Sequence, residues 1–222
     1  MQLLFDLDGT LTDSSPGIIR CLAHTMQVLG QDVPSIPCLR LCLGPPLVTV
    51  FQSLLTNDDN DVIERAIAIY REQYEATGIS ETALFPGVAE ALNDLHQSSH
   101  CLQLVTVKPE PYARRVLKQL SIASVFNDVF APTLDDRVTT KSALVRAALA
   151  DGTYDKSEVA MIGDRAEDII AARENRIFSA VAGWGYGTSE EIAAAKPDRI
   201  FSTMTEYVHW VESRDGPINQ ND

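Results

Sequence analysis

The chain opens with MQLLFDLDGTLTDSS, residues 1–15. An apolar run, Leu3-Leu4-Phe5, leads straight into Asp6 and Asp8, then Gly9 and Thr10. The run reads as a buried strand, and two carboxylates one residue apart at its end need an explanation. Burying one carboxylate is costly, and two close together raise each other's pKa unless positive charge lies between them. Either a cation belongs here, or the strand simply runs into a polar turn made by Asp8-Gly9.

Further short apolar runs follow at 102–107, 128–131, 159–163, 178–183 and 199–201. Several are apolar at successive positions, which suits strands covered on both faces. Helical patterns separate them, starting near Val88, Ala113, Lys141 and Ala166. That rhythm predicts an α/β fold with a doubly wound, mostly parallel, Rossmann-like sheet.

One connection breaks the rhythm. Between the first strand and the run at 102–107 lies far more chain than a simple crossover needs. It reads as helical from Pro16, from Pro46 and from Asp61 through Thr77. Pro16 suits a first helical turn, with Ser15 before it as the start. The expected organisation is a core of residues 1–13 and 84–213, a helical domain inserted at 14–83, and a disordered polar tail at 214–222.

Composition narrows the partners. The net charge of −13 over 222 residues leaves no broad basic face for nucleic acid or anionic membrane. No stretch approaches the roughly 20 apolar residues of a membrane span. The first strand starts almost at Met1 and leaves no charged leader region, so a cytoplasmic location is expected. Cys21, Cys38, Cys42 and Cys101 form no CxxC pair and read as reduced, mostly buried thiols. His24, His96, His100 and His209 show no ligand spacing and are expected on surfaces or helix faces. The run GWGYG at 183–187 lacks dinucleotide-fingerprint spacing; with Thr188 and Glu191 as a capping box behind it, it reads as a loop into a helix.

Ligands of open α/β sheets bind beyond the carboxyl ends of the strands. Asp6, Asp8, Thr106 and Asp164 all follow strands, and Asp168 lies one helical turn past Asp164, facing the same way. Four carboxylates in one crevice need a divalent ion, and an all-oxygen set points to Mg²⁺. Singly, each residue has a plainer reading: a turn, a β-branched strand residue, a helix cap, a solvated helix face. It is their order at successive strand ends that points to a site.

FDLDGTLTDS, LVTVKP, the lysine of TTKSALVRAAL and IGDRAED together resemble the four motifs of the haloacid dehalogenase superfamily. The helical insert resembles its C1 cap. LGPPL at 43–47, IYREQYEATGI, LFPGV and GYGTSEE resemble the phosphoglycolate phosphatase-like branch. The resemblance implies a Mg²⁺-dependent phosphatase acting on small phosphate monoesters such as phosphoglycolate. It implies Asp6 as nucleophile, forming an aspartyl-phosphate, and Asp8 as acid and then base, with its backbone carbonyl on the metal. Asp164 completes the metal shell, and Asp168 is a ligand or a water-mediated partner. Gly9 passes close to the phosphate, Thr106 donates to it, and Lys141 supplies its positive charge.

Lys108, in the pair Lys108-Pro109, competes with Lys141 for that last role; Lys141 is preferred because it opens the helix between Thr106 and Asp164. Val107 stands where relatives often carry a small polar residue. Arg40, just before LGPP, is a candidate for a substrate carboxylate, against the plainer reading of a solvated arginine at a helix end. A dehalogenase would lack the second aspartate. A sugar phosphomutase could share the same motifs, and a non-catalytic phosphometabolite-binding protein would be expected to have lost Asp6, Asp8 or Asp164. The expected partner is a small phosphorylated metabolite, and the expected state a monomer or small homo-oligomer.

Overall fold

The computed structural model describes residues 1–56, 59–98, 100–135 and 139–214. Strand β1 (Gln2–Phe5) leads through a tight loop to the two-residue strand β2 (Thr12–Asp13). Helices α1 (Ser15–Val28), α2 (Ile36–Arg40), α3 (Leu47–Leu54) and α4 (Asn60–Gln73) follow, then a π-helical turn, Tyr74–Gly78, and a 3-10 turn, Ile79–Glu81. Strand β3 (Ala83–Leu84) pairs antiparallel with β2, Thr12 opposite Leu84 and Asp13 opposite Ala83. Both ends of the helical segment are thus tied together.

Helices and strands then alternate: α5 (Val88–Gln97), β4 (Cys101–Val105), α6 (Glu110–Gln119), β5 (Asp128–Phe130), α7 (Lys141–Ala148), β6 (Val159–Gly163), α8 (Ala166–Asn175), β7 (Phe178–Ala182), α9 (Ser189–Ala195), β8 (Arg199–Phe201) and α10 (Met204–Arg214). The main sheet has the order β5-β4-β1-β6-β7-β8, and every pairing in it is parallel. The chain crosses between its two halves beside β1, which puts the opening motif at the switch point of the sheet.

The unbroken apolar run of β1 now has its cause. Leu3 and Phe5 face the larger core, where Phe5 meets the ring of Tyr207 edge-on at 6.0 Å. Leu4 faces the opposite side with Val145, Met161 and Ala172. Alternate residues point to opposite faces, and here both faces are covered.

Several expectations shift. The helix expected from Asp61 through Thr77 starts at Asn60, and α4 stops at Gln73 before the wider π turn; one widened turn barely disturbs the apolar spacing, so periodicity does not reveal it. His100 is buried, with Nδ1 3.4 Å from the N-terminal ammonium, not at a surface or on a helix face. It sits directly before β4, where the sheet brings Cys101 beside Gln2. Of the thiols, Cys21 and Cys42 are buried and Cys38 is exposed. Arg214 closes α10, stacked over Trp210; the remainder of the expected tail, 215–222, lies outside the described residues. Among the described residues, no helix is long and apolar enough to cross a membrane.

Candidate active site

The site is assembled at the carboxyl ends of β1, β4 and β6. Asp6 continues the sheet for one residue, its N–H donating to the Ile162 carbonyl at 2.9 Å. The chain then folds back on itself, with Leu11 and Thr12 N–H groups both reaching the Leu7 carbonyl. Gly9 makes this possible: its φ is +88°, and a Cβ there would lie 2.2 Å from Asp164 Oδ2. A side chain would be strained in the left-handed region and would collide with the carboxylate.

Carboxylate oxygens of Asp6, Asp164 and Asp168 lie within 4.8 Å of one another, and all three residues are buried. Lys141, the first residue of α7, reaches in from the side. Its Nζ is 2.5 Å from Asp6 Oδ1 and 2.8 Å from Asp168 Oδ1, and it also donates to the Val105 carbonyl. Asp164 accepts from Thr10 Oγ1 at 3.3 Å and from the Tyr186 N–H at 2.7 Å. Asp168 caps its own helix, accepting the Arg165 N–H at 3.0 Å.

The electrostatics follow. Burial, and after it the Asp168 and Asp8 charges, pushes Asp6 up to about 6 against the pull of Lys141. Burial and the charges of Asp6 and Asp168 lift Asp164 well above the usual carboxylate range. Burial pulls Lys141 down, but the Asp168 and Asp6 charges outweigh it and hold the ammonium above its ordinary value. Three carboxylates share one lysine, so the cluster lacks positive charge. A buried all-oxygen donor set of this kind fits Mg²⁺.

Asp8 stands apart from the three. Its carboxylate pairs with Lys108 at 2.7 Å and accepts weakly from Thr12 Oγ1 at 3.4 Å. Lys108 is itself buried and lies 4.9 Å from the centre of the Tyr74 ring, which belongs to the helical segment. The two lysines weighed as alternatives are therefore both present, each with its own aspartate. Thr106 is buried just past β4, where its Oγ1 accepts the Lys108 N–H. Val107 is 40% exposed. Arg40 is exposed at the end of α2 and acts on Asp13: burial would raise that carboxyl, but bonds from Ser15 and Tyr186 and then the Arg40 charge hold it below its usual range.

Sequence reasoning passed over the contacts that join the helical segment to the core. The Arg165 guanidinium donates to the Leu43 carbonyl and to Glu191. Glu191 thus closes no reciprocal capping box with Thr188; only the Thr188 side chain caps α9. Tyr112 Oη donates to Glu75, and Arg71 to the Leu134 carbonyl, both at 2.7 Å. GWGYG was legible as a loop, though not as the wall of the site that it forms. Trp184 donates to the Thr10 carbonyl at 3.0 Å, and Tyr186 reaches Asp164.

The sequence profile of the family described as haloacid dehalogenase-like hydrolase matches residues 3–182. A 5'-nucleotidase of Pseudomonas aeruginosa is 34% identical over 189 residues, 85% of each chain. A phosphoglycolate phosphatase of Vibrio cholerae is 32% identical over 195 residues, 85% of this chain and 86% of that one. Among solved structures, a haloacid dehalogenase-like family hydrolase from Streptococcus pneumoniae superposes with a TM-score of 0.86 at 32% identity, covering 94% of this chain and 97% of that one.

Proposed function

The chain belongs to the haloacid dehalogenase-like hydrolase family, and on that footing we propose that it hydrolyses small phosphate monoesters through an aspartyl-phosphate on Asp6, with Mg²⁺ in the acidic cluster. The observation that carries this reading is Asp6 itself: a buried carboxylate at the tip of the central strand, bonded to Lys141 at 2.5 Å. The relatives named as 5'-nucleotidase and phosphoglycolate phosphatase support phosphate esters as the substrate class.

A carboxylate oxygen of Asp6 attacks phosphorus and the bond to the leaving oxygen breaks, with Asp8 giving that oxygen its proton. Asp8 then takes a proton from the water that attacks the aspartyl-phosphate, which frees Asp6 and releases inorganic phosphate. Lys141 stays beside Asp6 and stabilises negative charge on the transferring group, and the Thr106 hydroxyl offers it a donor. Asp6, Asp164 and Asp168, with the Asp8 backbone carbonyl, would hold the magnesium. When bound, the ion neutralises charge on the phosphoryl oxygens and orients them for in-line attack.

Residues 14–83 act as a lid. With Tyr74 over Lys108 and Leu43 bonded to Arg165, the segment closes over the strand ends, which excludes water and leaves room only for a compact leaving group. A phosphate-release screen over small metabolites tests the reading. Release from compact monoesters with Mg²⁺, lost in excess chelator, is expected. No release from any ester, or full activity in chelator, would overturn it.

A further inference from the structure

Helix α1 opens the lid, yet its N-cap residue, Ser14, makes no side-chain capping bond, and Ser14 Oγ is buried without a hydrogen-bond partner. The exposed amides of a helix start need acceptors. Here the acceptor comes from the other side of the site. Tyr186 Oη accepts the Ser14 N–H at 2.8 Å, shares the Ser15 N–H at 3.2 Å with Asp13 Oδ1 at 3.0 Å, and donates to that same Asp13 oxygen at 2.9 Å. Asp13 is the rung of β2 that meets β3, so the phenol sits where the chain enters the lid.

The same residue holds the acidic cluster at its other end, its N–H lying 2.7 Å from Asp164 Oδ2. The loop around it presses onto Asp164. A Cβ at Gly185 would come within 2.2 Å of the Asp164 Cβ, and one at Gly187 within 2.1 Å of its carbonyl. The backbone of residue 186 is therefore located by Asp164, and a rigid ring with two rotatable bonds carries that location to the lid's base.

We propose that Tyr186 is a positioning residue, a strut through which occupation of the Asp164 carboxylate sets the geometry at the pivot of the lid. A cation drawn onto Asp164 fixes the carboxylate that accepts the Tyr186 N–H, and the far end of the ring holds the Ser14 amide at the start of α1. The proposal rests on the magnesium reading above. Coupling of this kind is reciprocal: the factor by which the ion tightens the pivot is the factor by which a free pivot weakens the ion.

Amide hydrogen exchange by NMR on the full chain, with and without Mg²⁺, tests it. In the wild type, Mg²⁺ is expected to slow exchange at Tyr186 and, about tenfold, at Ser14 and Ser15, while Ile19, one turn past Ser15, stays unmoved. In Tyr186→Phe, Ser14 exchanges faster at the outset, Ser15 less so because it keeps Asp13 as an acceptor, and Mg²⁺ slows only residue 186. That variant should also bind Mg²⁺ more weakly by up to the same factor, read from a metal-dependent melting shift. Equal slowing at Ser14 and Ser15 in both proteins overturns the strut. A response at Tyr186 with none at Ser14 and Ser15 in the wild type overturns it while leaving the metal reading standing. No response at Tyr186 overturns both. Should the variant fail to fold, the wild-type pattern decides alone: slowing confined to Ser14, Ser15 and Tyr186 supports the strut, and uniform slowing across α1 overturns it.

Discussion

Asp8 pairs with Lys108 at 2.7 Å while Asp6, two residues earlier, pairs with Lys141 at 2.5 Å. The chain leaves the strand direction at Leu7, whose carbonyl takes the Leu11 and Thr12 N–H groups, so two aspartates that read as one motif occupy different electrostatic surroundings. One lies in the acidic cluster; the other is paired to Lys108, whose ammonium lies against the Tyr74 ring. The division suits a nucleophile and an acid-base group that must act on opposite sides of the same phosphorus.

The first expectation separates the lysines. Lys141→Met leaves three buried carboxylates without their cation and should cost about 3–5 kcal/mol of metal-free stability, in line with breaking a buried pair. Lys108→Met should slow hydrolysis of alkyl phosphates, whose leaving oxygen needs a well-placed Asp8, more than hydrolysis of p-nitrophenyl phosphate. Denaturant melts and kcat/KM for the two esters check this. Equal losses on both esters would remove Lys108 from the proton-transfer side.

The second concerns the nucleophile. Asp6→Asn keeps the shape but not the attacking oxyanion, so phosphate release should fall by roughly three or more orders of magnitude with the fold intact. Rapid-quench detection of acid-stable phosphoprotein should find none in the variant. Turnover near the wild-type rate would end the covalent mechanism.

The third is a dependence on pH. In the metal-free protein Asp6 is lifted from 3.8 to about 6, so the fold retains a proton that the unfolded chain gives up. This group's contribution to stability therefore falls as pH rises from about 4 to 6. At about 1.4 kcal/mol per unit, the fall is on the order of 3 kcal/mol. Urea midpoints across that range should drop in the wild type relative to Asp6→Asn, and Mg²⁺ should reduce the difference. Parallel curves would contradict the buried-carboxyl account.

The fourth is metal removal. Chelator should abolish turnover while leaving the fold in place. Mg²⁺ at 100 times its dissociation constant should stabilise the protein by about 2.7 kcal/mol. Asp164→Ala should lose that stabilisation. A melting shift that survives in Asp164→Ala would move the ion elsewhere.

Much of this was legible in the sequence because it is local. Leu3, Leu4 and Phe5 announce a strand covered on both faces, and the carboxyl-end rule then gathers Asp6, Asp164 and Asp168 without any knowledge of contacts. What stayed hidden is what joins distant elements. A two-residue strand such as β2 carries no periodicity, and its partner lies some seventy residues on. Lys108 and Lys141 looked like rivals because the sequence shows spacing but not the direction of a side chain. Tyr186 is one of several aromatics, and nothing adjacent to it says that its phenol caps α1 from across the site.

The β2–β3 ribbon has a consequence for how such a chain can be rebuilt. With Asp13 opposite Ala83, the points of departure and return are neighbours, so the intervening helices form a cassette whose removal leaves no gap to span. Insertions with adjacent ends are the kind that folded domains accept. A core closed by a short turn from Asp13 to Ala83 should keep its parallel sheet, and helices of another shape grafted at the same two residues would meet the same strand ends. On the proposed lid role, such a graft should change substrate preference as a unit while Asp6, Lys141 and Asp164 stay where they are.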